Sequence, residues 1–174
     1  MNDASIVLEP ARDQVAYAAA RRLFTDYAEW LGVDLSFQGF QAELDSLPGK
    51  YAPPENGSAG GELLVAWRSA APQAVGSVPA RQPMGCVAVR PFADDACEMK
   101  RLWVVPDARG TGLGIRLGTA ILDVARELGY RRMLLDTLRS MHAANGLYQR
   151  LGFLEVPAYY HNPHPGVVYY ARNL

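Results

Sequence analysis

Residues 103–115 read Trp-Val-Val-Pro-Asp-Ala-Arg-Gly-Thr-Gly-Leu-Gly-Ile, an apolar run that ends in a turn with three glycines and passes at once into helical spacing. A strand that enters a helix through such a turn restricts the architecture sharply. Glycine lets the backbone take positive φ and come close to a ligand. The first turn of the helix offers N–H groups without intrahelical partners, at the positive end of the helix dipole. Together these make a cradle for an anion, most simply a phosphate or pyrophosphate. A turn that only connects the two elements is the alternative reading.

The rest of the chain supplies elements around this turn. Residues 5–8 read as a strand. Asp13 is placed to cap a helix whose stripe is Val15, Ala19, Leu23, Tyr27 and Trp30, and Gly32 is placed to end it. Ser36 opens a second helical stretch with Phe37, Phe40, Leu44 and Leu47 on one side. Residues 48–60 are a loop by composition. Strands follow at 62–67, 84–90 and 96–105, and the Ala/Pro/Gly/Ser-rich residues 69–83 read as a mobile connection. After the glycine turn, Leu113, Leu117, Ile121, Val124 and Leu128 mark a helix closed by Gly129. A buried strand at 132–137, a helix through Ala144, Leu147 and Leu151, and strands at 153–159 and 167–171 complete the chain. Hairpins early and a βαβ unit late predict an α/β fold with a mixed sheet and helices on both faces.

At 174 residues, one domain spanning the chain is expected, since domains average ~150 residues. With 17 Lys+Arg against 18 Asp+Glu, no net electrostatic case exists for a nucleic-acid or membrane-surface partner. The segment MNDASIVLEPARD lacks a basic stretch followed by an apolar one, so no secretory leader is expected in it. No apolar run reaches the ~20 residues of a membrane span. A hairpin centred near Ala93 sets Cys86 opposite about Arg101 and Cys97 opposite about Arg90, too far apart for a disulfide. Free thiols and a cytoplasmic location are the expectation.

Three phosphate-binding patterns compete for the glycine turn. The dinucleotide form G-x-G-x-x-G fails, because its last position is Ile115 or Leu117 in the two registers. The P-loop form fails for want of Gly-Lys-Ser/Thr. The segment Arg109-Gly110-Thr111-Gly112-Leu113-Gly114 fits R-x-x-G-x-G, and it resembles the acyl-CoA pyrophosphate signature of the GNAT acetyltransferase superfamily. Downstream, Tyr148-x-x-x-Gly152-Phe153 resembles the second motif of that superfamily. The resemblance is close from residue 96 to 153 and extends over the whole chain by element order.

The resemblance implies a GNAT-like splayed sheet of about seven strands and acetyl-CoA-dependent transfer of an acyl group to an amine, here of a small molecule. It implies that the pantetheine arm pairs with the backbone of Trp103, Val104 and Val105, and that the N–H groups of residues 109–114 hold the pyrophosphate. Family members often carry Asn or Ser seven residues before the tyrosine; this chain has Met141 there, and Asn145 is the nearer candidate. A homodimer is a common assembly of the family. A non-catalytic acyl-CoA-binding module and a transferase for peptide amines are the competing functions.

Aminolysis of a thioester needs a neutral amine, donors for the carbonyl oxygen and a proton for the leaving thiolate. The resemblance assigns the last task to Tyr148, whose phenol can donate to sulfur; a core aromatic with its hydroxyl tied to backbone is the alternative. Glu98, a carboxylate in the apolar and basic run CEMKRLWVV, is the candidate base. An ion pair with Arg101 or Lys100 is the equal alternative. The N–H of Val104 or Val105 is the candidate oxyanion donor. His161 and His164 flank Pro163 without further ligands at metal spacing, so no metal is expected. Tyr159, Tyr160, Tyr169 and Tyr170 either line an acceptor pocket or simply pack.

Overall fold

The computed structural model describes residues 6–57, 59–69 and 81–174. Strand β1 (Ile6–Pro10) leads to helix α1 (Gln14–Leu31) and a short α2 (Phe40–Ser46). Strands β2 (Glu62–Ser69), β3 (Arg81–Ala93) and β4 (Ala96–Val104) form a meander. Then come α3 (Leu113–Glu127), β5 (Arg132–Leu138), α4 (His142–Arg150), β6 (Leu154–Val156) and β7 (Val167–Asn173). Seven strands share one sheet in the order β1-β2-β3-β4-β5-β7-β6. Its β4–β5 pair is parallel and the other pairs are antiparallel. One core lies under α3 and α4 and the other under α1 and α2, so helices cover both faces.

The α1 ends behave as their residues dictate. The Asp13 carboxylate accepts the Ala16 N–H at 2.8 Å, and Gly32 closes the helix at φ 65 with its N–H on Ala28 O. The buried stripe differs from the expected one: Ala16, Ala20, Leu23 and Phe24 face the core, whereas Val15 is 71% and Trp30 50% exposed. Small alanines let the helix lie close to the sheet, and closeness outweighs the extra apolar area of Val15. The second helical stretch is broken by Gly39 at φ 69, which leaves a 3₁₀ turn over Ser36–Gln38 before α2. Of the connection expected over 69–83, residues 70–80 lie outside the described residues, and residues 81–83 already belong to β3.

The β3–β4 hairpin turns at Asp94 and Asp95, one residue later than expected, and pairs Ala93 with Ala96. A register shift between Pro91 and Ala93 then sets Cys97 opposite Pro91, and Cys86 faces Trp103. Both thiols are free and buried. Burial pushes both upward in pKa, Cys97 to about 12, so they stay protonated.

The Cys86 register has a second cause. Arg101 and Leu102 together oppose Val87, and Arg101 takes φ 58, a β-bulge on β4. The extra residue inverts the side-chain alternation. Cys97 and Met99 pack under α3; after the bulge Leu102 and Val104 do so, and Trp103 turns toward α1. The parallel ladder from β4 to β5 is short, pairing Ala96, Cys97 and Glu98 with Arg132, Met133 and Leu134 and then stopping. Beyond it the two strands diverge.

Candidate active site

The divergence of β4 from β5 opens a cleft of about 1060 Å³. It is lined by Val104, Gly110, Gly112, Gly114, Leu147 and Tyr148, and by Tyr27, Trp30, Trp103, Lys100, Arg101 and Asp136.

The glycine turn presents its backbone to this space. The Arg109 N–H is committed to Pro106 O at 3.1 Å, and the first bond into α3 runs from Arg116 N–H to Gly112 O. Among the described residues, the N–H groups of Gly110, Thr111, Gly112, Leu113, Gly114 and Ile115 carry no hydrogen bond. The free cradle thus starts one residue later than the sequence reading. Gly110 and Gly112 have φ 76 and 83, and a Cβ on either would meet nothing within 4 Å. The space beside the turn is open, as a diphosphate requires. The Thr111 hydroxyl donates to Ala108 O at 2.7 Å and braces the turn, and the Leu113 side chain is buried beneath it. Leu113 lines the cleft.

Val104 and Val105 divide their roles. Val105 N–H donates to Met84 O at 3.0 Å. That makes Met84 and Val105 a hydrogen-bonded pair, and the neighbouring Gly85–Val104 pair a non-hydrogen-bonded one. The amide and carbonyl of Val104 consequently point away from β3, toward the cleft. The Arg109 Nε donates to that carbonyl at 3.1 Å. Of the two oxyanion candidates, Val104 has the free N–H and Val105 does not.

Arg109 reaches across the cleft mouth. Its guanidinium stands 4.6 Å over the Trp103 ring and 5.0 Å over Trp30. Tyr27 and Trp30 lie 5.7 and 5.1 Å from Trp103, giving one aromatic wall. Among the described residues, the Trp103 indole N–H is the buried side-chain polar atom without a hydrogen-bond partner. An orphaned buried donor costs about 1–3 kcal/mol.

Tyr148 is buried on α4 between Phe153 and Tyr170, each 6.1 Å away. The ring packs in the core, as the alternative reading had it, but among the described residues its hydroxyl is tied to no backbone group. Burial, with the nearby Tyr27 and Asp136, pushes the phenol well above its ordinary value and keeps it protonated.

Asn145 is elsewhere. Its amide donates to Leu138 O and Met141 O at 2.9 and 2.8 Å, and its oxygen accepts from the Tyr170 hydroxyl. It clamps the end of β5 to α4 and does not line the cleft. Glu98 is likewise outside the lining. It is 1% exposed, with Oε2 held by Arg90 at 2.6 Å and Oε1 by the Tyr159 hydroxyl at 2.9 Å. The ion-pair reading describes its surroundings, although the main partner is Arg90, across the hairpin, and Lys100 stands farther off at 3.9 Å.

The sequence reading passed over Asp136. Its carboxylate lies two residues beyond the last paired rung, where β5 faces Lys100 of β4 at 3.4 Å. Oδ2 accepts from the Tyr160 hydroxyl at 2.8 Å and from the Asn162 amide at 3.0 Å. Its signal was present: a lone acid in the apolar strand RMLLDTL, the same argument that singled out Glu98. Arg101 and Glu43 were also not seen as a pair. The guanidinium grips both carboxylate oxygens, at 2.9 and 2.8 Å, in a buried site. Burial pushes the Glu43 carboxyl up, but Arg101 and the Tyr51 hydroxyl outweigh it and hold it below its usual range.

Among the described residues, no group of three or more His, Cys, Asp or Glu side chains could hold a metal ion. No described helix is long and apolar enough to cross a membrane.

Comparison with known proteins agrees with the geometry. Residues 42–153 match the model of the acetyltransferase (GNAT) family. An uncharacterised N-acetyltransferase of Schizosaccharomyces pombe is 41% identical over 150 residues, covering 86% of this chain and 83% of its own. An uncharacterised N-acetyltransferase of Dictyostelium discoideum is 26% identical, with 86% and 90% covered. The crystal structure of a GNAT-family acetyltransferase from Staphylococcus aureus superposes with TM-score 0.72 at 15% identity, over 97% of this chain and 99% of the other, a likeness of fold. A strand splayed from its parallel neighbour, a bare glycine turn at a helix start and a free phenol beside them are thus explained together: the chain belongs to the GNAT family of acetyltransferases.

Proposed function

We propose that this protein, as one domain, moves an acetyl group from acetyl-CoA directly onto the amine of a small molecule. The observation that carries the reading is the row of unpaired N–H groups from Gly110 to Ile115 at the edge of the cleft that also holds Tyr148. These amides would hold the pyrophosphate, and the outward backbone of Val104 would pair with the pantetheine arm. Acetyl-CoA supplies the activated acyl group. The Val104 N–H stabilises charge gathering on the carbonyl oxygen, a task worth ~3–4 kcal/mol per donor in known oxyanion holes. Tyr148 protonates the departing sulfur. The free N–H of Val104 and the protonated phenol support these roles; Glu98 and Asn145 have none in this reading, since their polar atoms are engaged elsewhere. The acceptor chamber is walled by side chains of α1, β4 and β5, which favours a small amine over a peptide.

Isothermal titration should show acetyl-CoA binding at or below tens of micromolar, and an amine panel should release free CoA thiol. Absence of binding at that concentration would sink the reading; binding without thiol release would favour an acyl-CoA-binding module. Gly112→Ala sharpens the test. Its Cβ has room within the protein but would project beside the amides at φ 83, a strained conformation worth about 1–2 kcal/mol. Acetyl-CoA affinity is expected to fall at least tenfold while the melting temperature drops only a few degrees. Equal affinity would remove the turn from the binding site.

A further inference from the structure

The acceptor side of the cleft carries a more specific chemistry, and the inference rests on the acetyl-transfer reading above. A carboxylate offers about four lone-pair sites. On Asp136, Tyr160 and Asn162 fill both sites of Oδ2, and Lys100 takes one of Oδ1 at 3.4 Å. One acceptor site of Oδ1 remains. The carboxylate lines the cleft, and its charge is felt at both Tyr27 of the aromatic wall and Tyr148.

The cations around it are already matched. Lys100 faces Asp136 and Glu98, and Arg101 is gripped by Glu43. Neither Lys100 nor Arg101 is thus left unmatched for an acceptor carboxylate. The faces of Trp30 and Trp103 already carry the Arg109 guanidinium, so a second positive charge on the acceptor's body meets repulsion there. Leu31, Val33 and Leu35 give the lining an apolar stretch beside Trp30, while Gln38, Thr137 and Ser140 line it elsewhere. Trp30 is half exposed and open to an incoming ring.

We propose that the chamber takes a primary amine with a single charge and an apolar, ring-bearing body, its nitrogen hydrogen-bonded to Asp136 and its body laid along Leu31, Val33 and Leu35 beside the half-exposed Trp30. The ammonium gives one proton, by way of the Asp136 carboxylate, to water. The nitrogen lone pair then forms the C–N bond to the thioester carbon. The C–S bond breaks as the Tyr148 proton passes to sulfur, and the second proton leaving nitrogen restores the phenol. The sum is ammonium plus acetyl-CoA giving amide, CoA thiol and one proton.

The test compares 2-phenylethylamine, ethylamine, spermidine and phenylalanine as acceptors for the wild type, Asp136→Asn and Trp30→Ala. For the wild type, kcat/KM for 2-phenylethylamine should exceed that for spermidine and for phenylalanine at least tenfold. Asp136→Asn should lower it at least a hundredfold, with acetyl-CoA affinity within threefold as the check on folding. Trp30→Ala, at an exposed position, should cut the preference for 2-phenylethylamine over ethylamine at least fivefold. A wild type that prefers spermidine or phenylalanine, an Asp136→Asn variant within twofold of wild type, or an unchanged preference in Trp30→Ala overturns the assignment. Failure of the wild type to bind acetyl-CoA would instead overturn the parent reading.

Discussion

Tyr148→Phe is expected to lower kcat about a hundredfold or more while leaving acetyl-CoA affinity within about threefold, the range in which a positioned general acid contributes. The substitution removes one oxygen from a buried ring that packs on Phe153 and Tyr170, and that hydroxyl bonds to nothing among the described residues. Packing and stability are therefore kept, and the loss falls on the chemical step. Burial raises the phenol above its ordinary pKa of about 10. Tyr148 thus stays a proton donor across the neutral and mildly alkaline range, and no alkaline fall in kcat below pH about 10 should trace to it. Steady-state rates over that range, with titration calorimetry for the donor, check both statements. A turnover within a factor of three of wild type would take Tyr148 out of the mechanism.

The largest expected loss of stability comes from Glu43→Ala. It strips the partner from Arg101, whose side chain is 3% exposed. Breaking a buried pair by removing one member costs about 3–5 kcal/mol, because the remaining charge stays desolvated. For a chain of this size, each kcal/mol moves the melting temperature by roughly 2–4 °C, so a fall of about 6–20 °C is expected in calorimetry. The pair also acquires a pH signature. The folded Glu43 carboxyl titrates below its unfolded value, so the unfolded chain takes up the proton first as pH falls. The contribution is whole above the unfolded carboxyl's pKa, about 4.3, and is lost as pH drops through the folded one. The gap between wild type and variant should close on acidification. A gap below about 1 kcal/mol at pH 7 would show that Arg101 relaxes into water.

Much of this was legible in the residues. Asp13, Gly32 and the glycines around residue 112 mark the helix ends by local chemistry, and the structure uses them so. The motif pair around the glycine turn and Tyr148 located the cleft. The errors share a different origin. The α1 stripe failed because alanines at 16 and 20 make as regular a row as Val15 and Trp30, and only the sheet decides which row is covered. The bulge at Arg101 left no glycine or asparagine to announce it, yet it turns Trp103 from one face to the other. Asn145 looked free because its partners, Tyr170 and the end of β5, meet it only after β7 inserts beside β5. Glu98 and Asp136 carry the same signal in the sequence. Which of them meets the cleft depends on where a ladder stops, and a ladder's end is a tertiary fact.

That short ladder has a mechanical consequence. Among the described residues, strands β1–β4 and strands β5–β7 are joined, within the sheet, by three rungs, the Cys97 thiol on the Arg132 carbonyl and one lysine–aspartate contact. The sheet, though not the core beneath it, is in effect two slabs stitched along a brief seam, and a donor lying in the gap would touch both. Loading the gap should stiffen the seam from outside, so amide hydrogens of residues 96–98 and 132–134 should exchange more slowly once the nucleotide arm is seated, even though none of them contacts it.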